Sequence, residues 1–156
     1  MNDAASSEPT QPTFNIEKLY VKGLSLEIPH APSIYLEREA PQIDLQLHTE
    51  YSAIDAGIYE VVITVTLTAK LSTQDKVMFL IEAQQAGIFH LLNIPQAELE
   101  SVLAVVCPNI IYPYLREVIT DASVRAGFAP VMLNPINFEV LYQQQKEQAA
   151  AAATKH

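Results

Sequence analysis

The sequence has no tryptophan, one cysteine and only four glycines. The lone cysteine, Cys107, excludes an intrachain disulfide and does not indicate an oxidising compartment. So few glycines leave little material for a phosphate-binding loop, and no paired-cysteine motif or nucleophile elbow is present. No apolar run approaches the roughly 20 residues of a membrane span, and residues 1–12 lack the basic and apolar regions of a signal peptide. We therefore predict a cytoplasmic protein without direct membrane insertion.

Charged residues are also few, at 17%, and most are acidic, which gives a net charge of −9. This charge repels phosphate backbones and anionic lipids, so nucleic acid is an unfavourable partner. It favours basic partners such as nascent chains rich in Lys and Arg, although acidity that only maintains solubility is an equally good explanation. Apolar residues make up 49% of the chain. With so little charge to cover the surface, this favours an oligomer or an apolar binding face.

Candidate catalytic and metal-binding groups are scattered. The four histidines lie in unrelated parts of the sequence, at His30, His48, His90 and His156. None has metal-ligand spacing with another His, Cys or carboxylate. A Cys107–His90 nucleophile pair is conceivable, but a lone cysteine between two helices is more often a packing residue. Glu37 and Glu39 are more typical of a solvated edge than of an acid–base pair. We predict no enzymatic activity, no catalytic or metal-binding residue and no cofactor.

The first half of the chain is predicted to form strands. Apolar and polar residues alternate over 43–47 and 59–67, which is the two-residue period of a half-buried strand. A further strand is expected over 77–85. Within the first strand, over 14–26, the parity of the apolar positions switches twice, and this predicts a bulge or a bend.

The connections between these strands are of two kinds. Residues 55–57 and 72–75 are short enough for hairpins, so this part of the sheet is predicted to be antiparallel. Residues 28–42 contain three prolines and are too long for a tight turn. We expect this segment to cross over the molecule as an extended arm, with the apolar residues 34–36 lying against another surface.

The second half is predicted to be helical. A helix is expected to start at 93–95, to be interrupted at 107–108, and to end at Gly127. Asn134-Pro135 is expected to open a last helix. The fold class is therefore α+β: a four-stranded antiparallel sheet with a proline-rich crossover arm, followed by a long interrupted helix and a C-terminal helix.

The ends of the chain differ from its middle in composition. Residues 1–12 are polar and are predicted to be a disordered tail. Residues 13–142 are predicted to form a single domain. Residues 143–156 include five consecutive alanines without an apolar stripe, and we expect a helix extension and a flexible tail there.

Four segments resemble the motifs of a known family, in the same order along the chain. Residues 13–32 include TFNI, YVK and LEIP, and 79–89 read FLIEAQQAGIF. Residues 107–117 read CPNIIYPYLRE, and 133–138 read LNPINF. Together they resemble the SecB family of bacterial protein-export chaperones, from about Thr13 to Tyr142.

The resemblance implies a homotetramer built as a dimer of dimers, with the long helices packed between two sheets. It also implies an ATP-independent export chaperone, or holdase. Such a protein binds unfolded preproteins in apolar grooves, prevents their folding and aggregation, and delivers them to the SecA ATPase for translocation.

The resemblance also assigns a partner surface. Glu27, Leu80 and Glu82 fall where the family contacts SecA, on a flat acidic sheet face where SecA's zinc-bearing C-terminal tail and basic residues dock. One acidic position of that surface is occupied here by Gly23. The usual tryptophan position of the arm holds Glu39.

The remaining candidate residues are apolar. Those of a client-binding groove lie on the arm, the second strand and the last helix: Ile34, Tyr35, Ile43, Leu45, Leu47 and Tyr142. Those of an oligomer interface lie on the fourth strand and the second helical run: Phe79, Ile81, Ala83, Ile111 and Val118. Because the same patterns are typical of an ordinary core, core packing is the alternative for both sets.

Two other functions stay open. One is a scaffold of the same fold with a single dedicated partner, such as an antitoxin. The other is a small-ligand-binding or acyl-hydrolysing domain, which would need a deep closed pocket that contains Cys107 and a histidine.

Overall fold

The structure is a computed structural model that describes residues 11–154. Residues 11 and 12, at the end of the predicted N-terminal tail, form exposed coil. The rest of that predicted tail, and the last two residues of the predicted C-terminal tail, lie outside the described residues.

Four strands form one antiparallel sheet: β1 (Thr13–Glu27), β2 (Gln42–Asp55), β3 (Ile58–Leu71) and β4 (Lys76–Leu92). Their order across the sheet is β1-β4-β3-β2. Consecutive strands β1 and β2 are therefore the two opposite edges. The arm between them must cross the sheet, which explains its length. It is only partly extended, because residues 29–32 form turns and Ser33–Leu36 form a 3-10 helix. The predicted α+β class is confirmed.

Strand β1 keeps one apolar face along its whole length. Its pairing with β4 shifts register between Ile16 and Lys18 and again between Val21 and Gly23. Each shift reverses the side-chain parity, as the two parity switches in the sequence predicted. Six apolar residues consequently pair with β4 residues of a single face: Phe14, Ile16, Leu19, Val21, Leu24 and Leu26.

The hairpin connections also match their sequences. Ala56 and Gly57 link β2 to β3, and Gly57 has a φ of +72°. A Cβ at Gly57 would lie 2.7 Å from a side-chain carbon of Leu92. Glycine is therefore needed at this turn both for its backbone conformation and for the close approach of β4.

The interruption predicted at Cys107-Pro108 is a change of helix type and not a break. One helix runs from Gln96 to Arg125, and we call it the long helix. It consists of an α-helix over Gln96–Ser101, a π-helical turn over Val102–Val106 and an α-helix over Cys107–Arg125. The altered hydrogen bonding of the π turn lies just before Pro108, whose ring and missing N–H disfavour a regular α-turn.

The C-terminal helix spans Phe138–Ala153 and begins later than the sequence indicated. Asn137 caps it, because its side-chain oxygen accepts a hydrogen bond of 3.1 Å from the backbone N–H of Val140. Asn134-Pro135 belongs to the extended linker before the helix. The side chains from Gln143 to Ala153 are exposed.

The core lies between the long helix and the central strands β3 and β4. Its largest fully buried side chains include Ile63, Leu67, Phe79, Ile81, Phe89, Ile111, Leu115, Ile119 and Phe138. By length and composition alone, the long helix could cross a membrane. Because its apolar face packs against the sheet, it has the arrangement of a core helix.

We expect Leu115→Ala to lower the free energy of unfolding by about 2–5 kcal/mol, since Leu115 is fully buried and its truncation leaves a cavity. Leu36→Ala is the matched control, because Leu36 is 83% exposed and its truncation is expected to change stability by less than about 0.5 kcal/mol. Chemical denaturation at equal protein concentration measures both. Equal effects of the two substitutions would contradict this core assignment.

Candidate functional site

A strip of apolar side chains runs along β2 on the sheet face that carries the long helix. Four residues pair with buried β3 residues and so share that face: Ile43, Leu45, Leu47 and Tyr51. We call them the β2 strip. Ile43, Leu45 and Tyr51 are nevertheless 44%, 38% and 45% exposed, and Leu47 is partly buried. At ~3.3 Å per residue, the strip is about 26 Å long.

One end of the β2 strip opens into a cavity of about 470 Å³, which we call the arm cavity. Its walls come from the arm, from β2 and β4, and from the linker after the long helix. They include Glu39, Ile43, Met78, Phe79, Phe128 and Met132. Since Ile43 belongs to both features, the strip and the cavity form one continuous apolar surface.

Aromatic stacking holds the arm against this cavity. The hydroxyl of Tyr35 donates a hydrogen bond of 2.7 Å to the carbonyl of Ala126, just after the long helix. The Tyr35 ring stacks on Phe128 at 5.2 Å between ring centroids, and Phe128 stacks on Phe79 at 4.6 Å. The arm is thereby joined to the core through three successive rings.

The two arm residues predicted to contact a client have different environments. Tyr35 is 45% exposed and lies beside the cavity, so it keeps free surface. Ile34 is only 1% exposed and belongs to the core cluster. The prediction for Ile34 is corrected: it anchors the arm, because the short 3-10 helix Ser33–Leu36 turns its side chain inward.

Tyrosines mark the other end of the β2 strip. Burial raises the pKa of Tyr51, and the neighbouring Glu100 carboxylate and Tyr142 raise it further. Tyr142 on the C-terminal helix is 8% exposed, and the Lys146 ammonium lies 4.6 Å from its ring centroid. Tyr142 therefore presents little surface, whereas Tyr51 presents much more.

Sequence reasoning missed Tyr51, although a signal was present. Tyr51 has the same parity as Ile43, Leu45 and Leu47, and only Thr49 interrupts the apolar series. A strand that continues past Thr49 keeps Tyr51 on the same face, since the side-chain period is two.

The opposite face of the sheet carries the residues predicted to contact SecA. Glu27 lies directly opposite Leu80 in the β1–β4 pairing, and Glu82 lies two residues further along β4. They alternate with buried Phe79 and Ile81, so they point away from the long helix. The structure therefore brings the three predicted residues together on one exposed face. We call Glu27, Leu80 and Glu82 the acidic patch.

Gly23 continues this face of β1 and pairs with Gln84. A Cβ at Gly23 would lie 3.1 Å from the side-chain oxygen of Gln84, so a larger residue would need that side chain to move. The acidic patch is consequently bounded here by an amide and not by a third carboxylate.

A polar cluster further along the same face neutralises one carboxylate. The Lys22 ammonium lies 2.8 Å from Glu60, and the Tyr20 hydroxyl donates a hydrogen bond to the other carboxylate oxygen. These hydrogen bonds, that of Lys22 first, lower the pKa of Glu60, while burial raises the pKa of Tyr20 to about 12. Glu60 is thus ionised but paired, whereas Glu27 and Glu82 are exposed.

Four of the five residues predicted to mediate association are buried inside the single chain: Phe79, Ile81, Ala83 and Ile111. Each is at most 1% exposed, because the long helix packs directly on the inner face of β4. They belong to the core, and this corrects the interface prediction for them. Val118 is partly buried and keeps some free surface.

The exposed apolar surface next to these residues lies on β1 instead. Five of its six inner-face residues are 36–53% exposed: Phe14, Ile16, Val21, Leu24 and Leu26. We call them the β1 strip. Because β1 is an edge strand beyond the width of the long helix, nothing in the described chain covers this strip.

Cys107 does not have the properties of a nucleophile. It is fully buried, and burial raises the pKa of its thiol to about 12. The thiol is therefore protonated at neutral pH. Among residues 11–154, no three His, Cys, Asp or Glu side chains are grouped so that they could hold a metal ion.

Comparisons with known proteins agree with this geometry. The family described as "Preprotein translocase subunit SecB" matches residues 7–149. A protein-export protein SecB from Nitrosomonas europaea is 61% identical over 90% of this chain and 88% of its own. One from Methylobacillus flagellatus is 54% identical over 99% of this chain and 98% of its own.

A solved structure has the same fold. It is a SecB-like chaperone of Mycobacterium tuberculosis in complex with a peptide from an antitoxin. Its TM-score is 0.65 at 21% identity, and the alignment covers 80% of this chain and 91% of that one. The chain therefore belongs to the SecB family of protein-export chaperones, as its four motifs indicated.

Proposed function

We propose that this chain binds unfolded preproteins along the β2 strip and the arm cavity, holds them unfolded without ATP, and delivers them to SecA in the cytoplasm. The observation that carries this proposal is a continuous apolar surface, about 26 Å long, that remains exposed next to a complete core. An extended segment of about eight residues matches its length.

The area needed for binding fits weak, sequence-tolerant recognition. A micromolar complex corresponds to about −8 kcal/mol. At about 25 cal/mol per Å², this requires at least ~320 Å² of apolar burial, before the entropy of ordering the client is subtracted. Several half-exposed side chains and a cavity can supply such an area, but with little excess.

Assembly would overcome this limit. We propose a homotetramer, a dimer of dimers, in which the β1 strip and Val118 are covered by other copies of the chain. A long unfolded client could then contact several β2 strips at once. Each further contact is intramolecular and raises avidity by about 10²–10⁴-fold.

SecA docking is proposed for the opposite face of the sheet. The acidic patch complements basic residues of a partner, including those of the zinc-bearing tail of SecA. Since successive residues of a strand point to opposite faces, the client and SecA surfaces are separated by the sheet itself. Both can therefore be occupied at the same time.

We expect Leu45→Asp to weaken the binding of an unfolded client by about tenfold or more, because a charged group replaces apolar surface in the β2 strip. Gln46→Asp is the matched control, since it adds the same charge at the next residue on the opposite face. Fluorescence anisotropy with a labelled, reduced client measures both. A folded Leu45→Asp variant that binds as the wild type does would remove Leu45 from the site.

We expect Glu82→Lys to weaken SecA binding by about tenfold or more through charge reversal in the acidic patch, and to leave client binding unchanged. Glu50→Lys is the control. It makes the same charge change on β2, on the same face of the sheet but far from the acidic patch, and is expected to have little effect on SecA binding. Titration calorimetry with SecA compares them. Unchanged affinity in Glu82→Lys would refute the assignment, and Leu80→Arg provides a second test.

We expect Leu24→Glu to shift the assembly to smaller oligomers, because it places a charge in the β1 strip, where it would be buried by another copy. Ser25→Glu is the control, since Ser25 lies on the opposite face of β1. Native mass spectrometry reports the oligomeric state directly. A folded Leu24→Glu variant that stays tetrameric would place the interface elsewhere.

A further inference from the structure

The arm is fastened at a second point, by the carboxylate of Glu39. One carboxylate oxygen accepts hydrogen bonds from the Ser72 hydroxyl at 3.0 Å and the Thr73 N–H at 3.4 Å. The other accepts one from the Thr73 hydroxyl at 2.5 Å. These three bonds join the arm to the turn between β3 and β4, more than 30 residues later in the chain.

Glu39 also lines the arm cavity, and among the described residues that form the cavity wall it is the one with an ionisable side chain. The hydrogen bond from Thr73 is the first cause that lowers the pKa of Glu39. The carboxylate is therefore ionised near neutral pH and keeps all three acceptor interactions.

A nearby residue offers a comparison of equal charge. Glu37 lies two residues earlier on the arm and accepts a hydrogen bond of 3.3 Å from the Gln74 side chain. Glu37 is not part of the cavity wall. The two carboxylates have the same charge. They differ in the number of hydrogen bonds they accept and in whether they line the arm cavity.

Backbone hydrogen bonds are few in the described arm residues between these two fastenings. The backbone N–H of Glu37 donates to the carbonyl of Ile34 at 3.2 Å. Within the described part of the chain, residues 38–40 donate no such backbone hydrogen bond before β2 begins at Gln42. The position of this arm segment over the cavity thus depends on side-chain contacts with the turn, three of them made by Glu39 and one by Glu37.

We propose that Glu39 is a positioning residue for client binding, and that its bonds to Ser72 and Thr73 hold the arm at a fixed distance from the cavity floor. This rests on the proposed client site. A held arm presents a preformed wall, so an apolar segment binds without first ordering residues 37–41. Releasing the arm should weaken binding to any apolar segment, whatever its charge.

The test uses two peptides that share one apolar core with a single tryptophan, one flanked by Gln and one by Lys. Since the chain has no tryptophan, the tryptophan emission of the peptide is measured without a tryptophan background from the protein. Three proteins are compared with the wild type: Glu39→Gln, the double variant Ser72→Ala/Thr73→Val, and the control Glu37→Gln. Native mass and thermal midpoint establish that each variant is folded and assembled.

We expect Glu39→Gln and the double variant each to weaken the binding of both peptides by about three- to fivefold, mainly through faster dissociation. Combining them should add little, because both disrupt the hydroxyl hydrogen bonds of Ser72 and Thr73 to Glu39. Glu37→Gln should bind as the wild type does.

Other outcomes overturn the proposal. If only Glu39→Gln has an effect, and only on the Lys-flanked peptide, Glu39 contacts the cation of the client directly. If the wild type binds both peptides and no variant differs, Glu39 has no positioning role and the client site stands. If the wild type binds neither peptide, the client site itself is refuted.

Discussion

The exposed surfaces of this protein follow from one constraint: a single helix is narrower than a sheet of four strands. A helix with its side chains is about 10 Å across, whereas four strands about 4.8 Å apart are wider. The long helix therefore covers the two central strands and leaves much of the inner face of both edge strands exposed. Inner-face residues of the centre, such as Leu67 and Ile81, are 0% exposed, while Leu45 and Leu24 on the edges are 38% and 53% exposed.

Because of the strand order, the two edge strands β1 and β2 have different surroundings. The chain passes from β1 to β2 through the arm, so the β2 edge has an arm and a cavity beside it. Among residues 11–154, no segment covers the β1 edge in this way. In the proposed function, client binding uses one edge, assembly uses the other, and the outer face stays available to SecA.

The arm adds a cover that is not part of the core. Ile34 and the ring stack of Tyr35 on Phe128 hold one end of it. Glu39 holds the other end through side-chain hydrogen bonds that are exposed to solvent. Exposed polar contacts are weaker than buried apolar ones. The arm is therefore held more firmly at the end with Ile34 and Tyr35 than at the end with Glu39.

Several expectations from the sequence were confirmed because they depend on local periodicity. The double parity switch of β1 predicted a bulge or a bend, and the pairing shows a register shift at Ile16/Lys18 and another at Val21/Gly23. The arm was recognisable from its three prolines. The helix interruption expected at Cys107-Pro108 takes the form of a π turn followed by an α-helix within one continuous helix.

The errors in the candidate site have a common physical cause. Periodicity shows that Ile34, Phe79 and Leu45 are apolar and which face of an element they share, but not what lies over them. Ile34 and Phe79 are each 1% exposed, because neighbouring elements cover them. Leu45 remains exposed, although its pattern is the same.

The amino-acid sequence by itself therefore determined the strands, the arm, the family and the faces on which apolar and acidic residues lie, because these follow from spacing along the chain and from motifs. Only the tertiary structure decided which apolar faces are core and which are surface. That choice depends on the strand order and on where the long helix sits, and both come from contacts between residues far apart in sequence.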